Sequence, residues 1–205
     1  TVLGYESLES IAGAVTSCDA LMVVDEAYYG FSPVTALELI KRYPNLIVVR
    51  TFSKAFGLAG LRLGYCIANA RRIKELSLLR PVTDSNSIAL KCAEFALDHL
   101  DWINSRVSGF IAGREYLYRA LLDLGVAAFE SHCNFVLARC RSAQDAVELV
   151  REARDKGYLI KSPYGFTPVE NCVRVTVGPA ELMQQFIADC GALFARRASA
   201  APPTA

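Results

Sequence analysis

The chain lacks an excess of charge of either sign: 22 Lys and Arg stand against 21 Asp and Glu, a net of +1 over 205 residues. That balance gives nucleic acid or an anionic membrane surface little to hold. No apolar run approaches the ~18 residues that a membrane helix needs. The opening TVLGYESLES has no basic stretch and no apolar one, so a cytoplasmic chain without a secretory signal is expected. Histidine is scarce. His99 and His132 do not stand at ligand spacing from any cysteine, and no two of the seven cysteines form C-x-x-C, so no metal site is expected. The cysteines, at 18, 66, 92, 133, 140, 172 and 190, read as small apolar side chains in a reducing compartment. With 13 Gly, 8 Pro and 53% hydrophobic residues, the chain is neither collagenous nor disordered. Its length suits one large domain or one and a half.

What is present is an alternation of short apolar runs and helical patterns. Leu8 to Val15 puts Leu8, Ile11, Ala12 and Val15 on one helix face. Ala20 to Val24 is apolar without a break and stops at Asp25-Glu26, which predicts a strand buried on both faces. Leu46 to Val49 repeats that form and runs into Arg50-Thr-Phe-Ser-Lys54, and Leu63 to Ala68 is a third such run. A helix is predicted over Ala36 to Arg42, before Pro44. These elements predict an α/β layer.

From Asn86 to Leu124 there is no proline, and apolar residues recur at helical spacing. Gly109 and Gly113 are the candidate bends and Gly125 the stop. Beyond lie a predicted strand at Asn134 to Ala138, a helix from the N-cap Ser142 to Lys156 with Gly157 past its end, strands at Tyr158 to Ile160 and Cys172 to Val177, and a helix over Pro179 to Arg196. The organisation expected is an α/β portion over 1–100, a connecting helix over 101–125, a small αβ domain over 126–197 and a disordered tail over 198–205.

Two stretches carry chemistry. Asp25 closes a buried strand, where α/β sheets place ligands, and an acid there is costly unless a cation or donors meet it. Taken alone, Asp25-Glu26 also fits an acid opening the next helix, or the magnesium strand of a nucleotide hydrolase. The hydrolase needs G-x-x-x-x-G-K-[ST], which the chain does not have. The second stretch, Thr51-Phe-Ser-Lys-Ala-Phe-Gly-Leu-Ala-Gly-Leu-Arg-Leu-Gly64, holds one lysine among small and apolar residues, the setting of an amine nucleophile. Ser53 and Arg62 offer a hydroxyl and a guanidinium suited to a phosphate. Arg174 alternates with Val173 and Val175 on a predicted strand, and is equally a solvent-facing arginine or a functional one.

The string from Thr51 to Gly64, with Asp25-Glu-Ala-Tyr28 upstream and Val173-Arg-Val-Thr-Val-Gly178 downstream, resembles class II pyridoxal-phosphate aminotransferases, and among them the histidinol-phosphate aminotransferases. The resemblance implies the C-terminal portion of a fold type I enzyme, with part of a mostly parallel large domain and a small C-terminal αβ domain. It implies pyridoxal 5'-phosphate as cofactor, histidinol phosphate and 2-oxoglutarate as substrates, and a homodimer. It implies Lys54 as the amine that bonds the cofactor and shuttles the substrate proton, Asp25 as partner of the pyridine nitrogen, and Tyr28 as donor to the ring oxygen. Ser53 and Arg62 would hold the phosphate and Arg174 the substrate carboxylate. A decarboxylase or synthase on the same scaffold, or a non-catalytic relative, is the alternative.

Three departures from the family pattern stand out. Thr1-Val-Leu-Gly4 begins just after the family's N-P-x-G segment, whose asparagine is absent. The loop that cradles the cofactor phosphate and the aromatic that stacks on the ring are absent with it, so these residues alone are expected not to transaminate. Lys161 stands where the family has an arginine, ahead of Ser-Pro-Tyr-Gly-Phe-Thr-Pro168, which implies an altered substrate range.

Overall fold

The computed structural model describes residues 2–81, 85–161 and 169–198. The stretch 162–168 and the tail from 199 onward lie outside the described residues. The chain divides into two units, Thr1–Ser105 and Arg106–Ala205.

The first unit begins with helix α1 (Tyr5–Ser17), which buries Leu8 and Ala12 and runs two residues past the predicted pattern. Strand β1 (Met22–Asp25) pairs in parallel with β2 (Leu46–Thr51), in the register Met22 to Leu46 through Asp25 to Val49. Leu46, Ile47 and Val48 are buried, as a continuous apolar run predicts. β1 departs from the expectation of burial on both faces. It is the outer strand in the order β1-β2-β3, and Val23 is 60% exposed while Met22 is buried in the core with Leu8, Ala12, Leu39 and Val48.

Strand β3 (Gly64–Ala68) runs antiparallel to β2. A parallel return needs a crossover, and the chain between Thr51 and Gly64 folds only a single 3-10 turn, at Ala59–Leu61, before coming back beside β2. The predicted helix over 36–42 is a 3-10 helix at Leu37–Lys41. Helix α2 (Ala70–Ser77) follows, capped by the Asn69 side chain, which accepts from Arg71 N.

The long helical stretch breaks at neither glycine. It divides into α3 (Ser87–Asp98) and α4 (Leu100–Asp123) at His99, whose backbone leaves the helical region at ψ 38°. Gly113 is retained for a different reason. A Cβ there would stand 1.9 Å from the Gly178 carbonyl oxygen, so α4 can lie against that turn only without a side chain. Gly125 and Gly157, at φ 73° and 87°, follow the ends of α4 and α5 as predicted.

The second unit is a three-stranded antiparallel sheet in the order β4-β5-β6: Ala128–Phe129, Phe135–Arg139 and Cys172–Thr176. Helices α5 (Ala143–Asp155) and α6 (Ala180–Ala195) complete it. Ser142 caps α5 by accepting from Asp145 N, as predicted. Pro179 is the N-cap of α6 rather than its first residue. Val136, Ala138, Val173 and Val175 point into one core with Leu149, Phe186 and Phe194. The predicted strand over 158–160 does not form a ladder; only Lys161 pairs, with Arg174. At the end of the described chain, Ala198 makes a single bridge with Cys140.

Asp145, Glu152 and Asp189 all titrate below the ordinary carboxylate range. Arg141 and Ser142 donate to Asp145, Arg197 donates to Glu152, and Tyr158 and Gln185 donate to Asp189. A carboxylate whose folded pKa is depressed contributes stability above its unfolded pKa and loses it as pH falls through the folded one. Resistance to urea should therefore fall as pH drops below about 4, and Asp189→Asn should flatten that acid limb. Burial pushes the Cys140 thiol up to about 12, with Asp145 adding to the shift, and burial also raises Cys172 and Cys190. These three should resist a thiol-specific reagent at pH 8 until the chain unfolds, while exposed Cys18 reacts at once.

Candidate active site

The parallel pairing of β1 and β2 brings two chain reversals to one sheet edge. Asp25 ends β1, and the backbone turns immediately: Ala27 N donates to Asp25 Oδ1 at 2.9 Å and Tyr29 N donates to the Glu26 carbonyl at 2.9 Å. Beyond β2 the lysine loop is closed at its neck. Phe52 N donates to the Leu63 carbonyl, Leu58 N to the Phe52 carbonyl and Gly57 N to the Lys54 carbonyl, and Gly57 takes a φ of 71° that only glycine adopts freely. Phe52 is buried beneath this loop, with ring centroids 4.8 Å from Phe56 and 5.4 Å from Tyr65.

The half-buried Lys54 ammonium lies 5.7 Å from the centroid of the Tyr28 ring. Among the described residues it makes no hydrogen bond or ion pair. Asp25 is exposed, with one carboxylate oxygen held by the turn. Ser53 is half-buried, and its backbone N donates to Thr51 Oγ1. Arg62 is exposed, donates to the Ala59 carbonyl at 3.1 Å, and adopts the left-handed conformation at φ 53°, ψ 43°, a cost for a residue with a Cβ. Asp25, Tyr28, Ser53, Lys54 and Arg62 thus all belong to the first unit and border the ends of β1 and β2. Arg174 stands in the second unit on β6, facing away from buried Val173 and Val175 as its alternation predicts. Its guanidinium lies over the Phe135 ring at 5.1 Å, and its Nε is buried without a hydrogen-bond partner among the described residues.

A second cluster, beneath these residues, escaped the sequence reading. Glu26, adjacent to Asp25 but on the opposite side of the strand end, is buried. Its carboxylate accepts from Ala36 N at 2.6 Å, from the Thr35 hydroxyl at 2.9 Å and from Arg50 Nε at 3.0 Å, and forms an ion pair with Arg50 Nη2 at 2.9 Å. Arg50 also donates to Thr35 Oγ1, and its guanidinium lies 3.4 Å from the Tyr29 ring centroid. Burial alone would lower the Arg50 pKa, but hydrogen bonds to Tyr65 and Glu26 hold it above its usual value. The signal was available: an acid and an arginine both interrupt apolar runs at adjoining strand ends.

No group of three or more His, Cys, Asp and Glu among the described residues could hold a metal, and no helix there is long and apolar enough to cross a membrane. The pattern of the family aminotransferase class I and II matches residues 1–189. The chain belongs to this family. It is 41% identical over 172 residues to histidinol-phosphate aminotransferase of Chromobacterium violaceum, covering 83% of this chain and 47% of that protein. It is 36% identical over 176 residues to histidinol-phosphate aminotransferase 1 of Carboxydothermus hydrogenoformans, covering 86% and 49%. The crystal structure of the Sinorhizobium meliloti histidinol-phosphate aminotransferase in complex with pyridoxal-5'-phosphate superposes with a TM-score of 0.82 at 30% identity, covering 95% of this chain and 54% of that one. The chain therefore spans about half the length of the aminotransferases it matches, and its fold is that of fold type I.

The two kinds of ion pair in the first unit should respond differently to truncation. Glu26→Ala leaves Arg50 buried and unpaired, and should cost about 3–5 kcal/mol in urea unfolding. Glu38→Ala removes only an exposed partner of Lys41 and should cost less than about 1 kcal/mol.

Proposed function

We propose that this chain forms part of a pyridoxal-phosphate-dependent aminotransferase that takes histidinol phosphate as amino donor and 2-oxoglutarate as acceptor, in histidine biosynthesis. The observation that carries the reading is Lys54: an amine beside Tyr28 without an ionic partner among the described residues, at the strand ends where Asp25 presents a carboxylate. The chemistry of the donor set fits the cofactor. Asp25 would hold the pyridine nitrogen protonated, Tyr28 would donate to the ring oxygen, Lys54 would bond the aldehyde carbon, and Ser53 and Arg62 would hold the phosphate. When bound, pyridoxal phosphate supplies an electron sink for charge developing at the substrate Cα.

Each residue then has a defined task. Lys54 would hold and move the proton of the substrate Cα. Asp25 would offer its carboxylate to the ring nitrogen. Arg174 would offer a two-pronged guanidinium to the substrate carboxylate. Lys161, paired through its backbone with Arg174, would bring a point charge to the same strand pair in place of an arginine fork, which supports a donor range broader than one compound. The stretch 162–168, named with Lys161 in that expectation, lies outside the described residues. Seven unbridged cysteines support a reducing, cytoplasmic location, and the family supports a homodimer. The domain limits we propose are a large-domain portion over 1–100, a connecting helix over 101–125 and a small domain over 126–197.

Borohydride reduction of the full-length protein loaded with pyridoxal phosphate, followed by peptide mapping, should place the label on Lys54. Label on another lysine, or none, defeats the assignment. Asp25→Ala should keep the label and lower turnover roughly 10²–10³-fold, the scale for losing one preorganised charge partner. Arg174→Lys should raise the KM of the amino donor roughly 10- to 100-fold, the worth of one charge-assisted hydrogen bond, and leave the cofactor spectrum unchanged.

A further inference from the structure

We propose that Glu26 and Arg50 form a positioning pair that sets the distance between the two arms of the cofactor site, a role that rests on the function proposed above. Neither residue reaches the reacting groups, since both side chains are buried at 7% exposure behind the strand ends. Their contacts nevertheless run to both arms. Glu26 follows Asp25 directly, and its backbone N donates to the Val49 carbonyl at 2.9 Å, so it continues the β1–β2 register one step beyond the strand. Its carbonyl accepts from Tyr29 N, which closes the turn carrying Tyr28. Arg50 precedes Thr51, whose hydroxyl accepts from Ser53 N, one residue before Lys54. On β3, Tyr65 stands opposite Arg50 in the ladder and hydrogen-bonds its guanidinium.

The geometry of the pair is over-determined. Arg50 Nε and Nη2 both engage Glu26 Oε2, Nη2 also donates to Thr35, and the Tyr29 ring covers the guanidinium plane. Glu26 Oε1 is fixed by Ala36 N. The fork of an arginine is needed for this, because a lysine could meet the carboxylate but not Thr35 and Tyr29 together. A shift of the pair moves the turn bearing Asp25 and Tyr28 against the loop bearing Ser53 and Lys54. A cofactor bound at both arms would register that shift in its affinity and in the titration of its bond to lysine.

The test uses the full-length protein and the double variant Glu26→Gln/Arg50→Met. It removes both charges together, which buried pairs tolerate better than loss of one partner, and Gln keeps an acceptor for Ala36 N and Thr35. The readouts are the melting temperature without cofactor, the Kd for pyridoxal phosphate, and the pH midpoint of the absorbance of the lysine-bound cofactor. The expected result is a melting temperature within about 4 °C of wild type, a Kd weakened roughly tenfold or more, and a displaced midpoint. Arg50→Lys, which retains the charge without the fork, carries the same expectation and replaces the double variant if that one does not fold. A folded variant with wild-type Kd and wild-type midpoint overturns the positioning role. A wild-type protein that binds no pyridoxal phosphate overturns the proposed function itself, and this role with it.

Discussion

A carboxylate and a guanidinium taken out of water each lose several kcal/mol of hydration, and their attraction offsets that loss only when every remaining donor and acceptor is also met. Glu26 and Arg50 satisfy that condition at the carboxyl ends of β1 and β2, through Thr35, Ala36 N and Tyr29. The consequence is a sheet edge with little freedom to slide. A parallel pair has no hairpin to fix its register, and here β1 ends after four residues. The buried pair adds a side-chain tie between the strand ends, one step beyond the pairing of Asp25 with Val49.

The same strand end separates two acids by function. Adjacent residues on a strand point to opposite sides, so Asp25 and Glu26 cannot share an environment. Glu26 is buried and fully engaged, while Asp25 is exposed with one oxygen committed to the turn. One carboxylate is consumed by its buried partners, while the other keeps an oxygen that is not used by the turn. On the facing arm the division is repeated between Arg50, buried against Glu26, and Lys54, which has an aromatic ring as neighbour and no counter-ion among the described residues.

The strands with continuous apolar runs were legible because burial leaves its mark on every residue. Leu46 to Val49 is such a case, and so is the cap at Ser142, where one side chain decides the local structure. Direction and partner were not legible. Leu63 to Ala68 reads as one more buried strand, yet it runs antiparallel to β2, because direction is decided by the loop that returns the chain and not by the strand. Tyr158 to Ile160 has the composition of a strand, yet among the described residues this segment pairs only at Lys161, which meets Arg174 on the outer strand of the sheet. Gly113 read as a bend and proved a point of close approach, a property of the turn at Gly178 that no local pattern carries. The candidate site divided in the same way. Lys54 and Asp25 stood out as candidates through the motif that resembles the family's, whereas Glu26 and Arg50 became visible only once β1 and β2 were paired, because each explains the other.

Arg62 tests the proposed assignment from a different direction. A left-handed conformation costs a residue with a Cβ roughly 1–3 kcal/mol, and such residues persist where their surroundings over-determine them. The 3-10 turn at Ala59–Leu61 and the return to β3 impose the conformation, and Gly57, Gly60 and Gly64 show that glycine is available in this loop. A glycine at position 62 would meet the backbone requirement without the steric cost. What it could not supply is a guanidinium, and the one hydrogen bond Arg62 makes, to the Ala59 carbonyl at 3.1 Å, is too exposed to offset the strain. A ligand that engages the guanidinium is one interaction able to offset that cost. The phosphate role proposed for Arg62 with Ser53 is of that kind, and a guanidinium is the group a phosphate would require there.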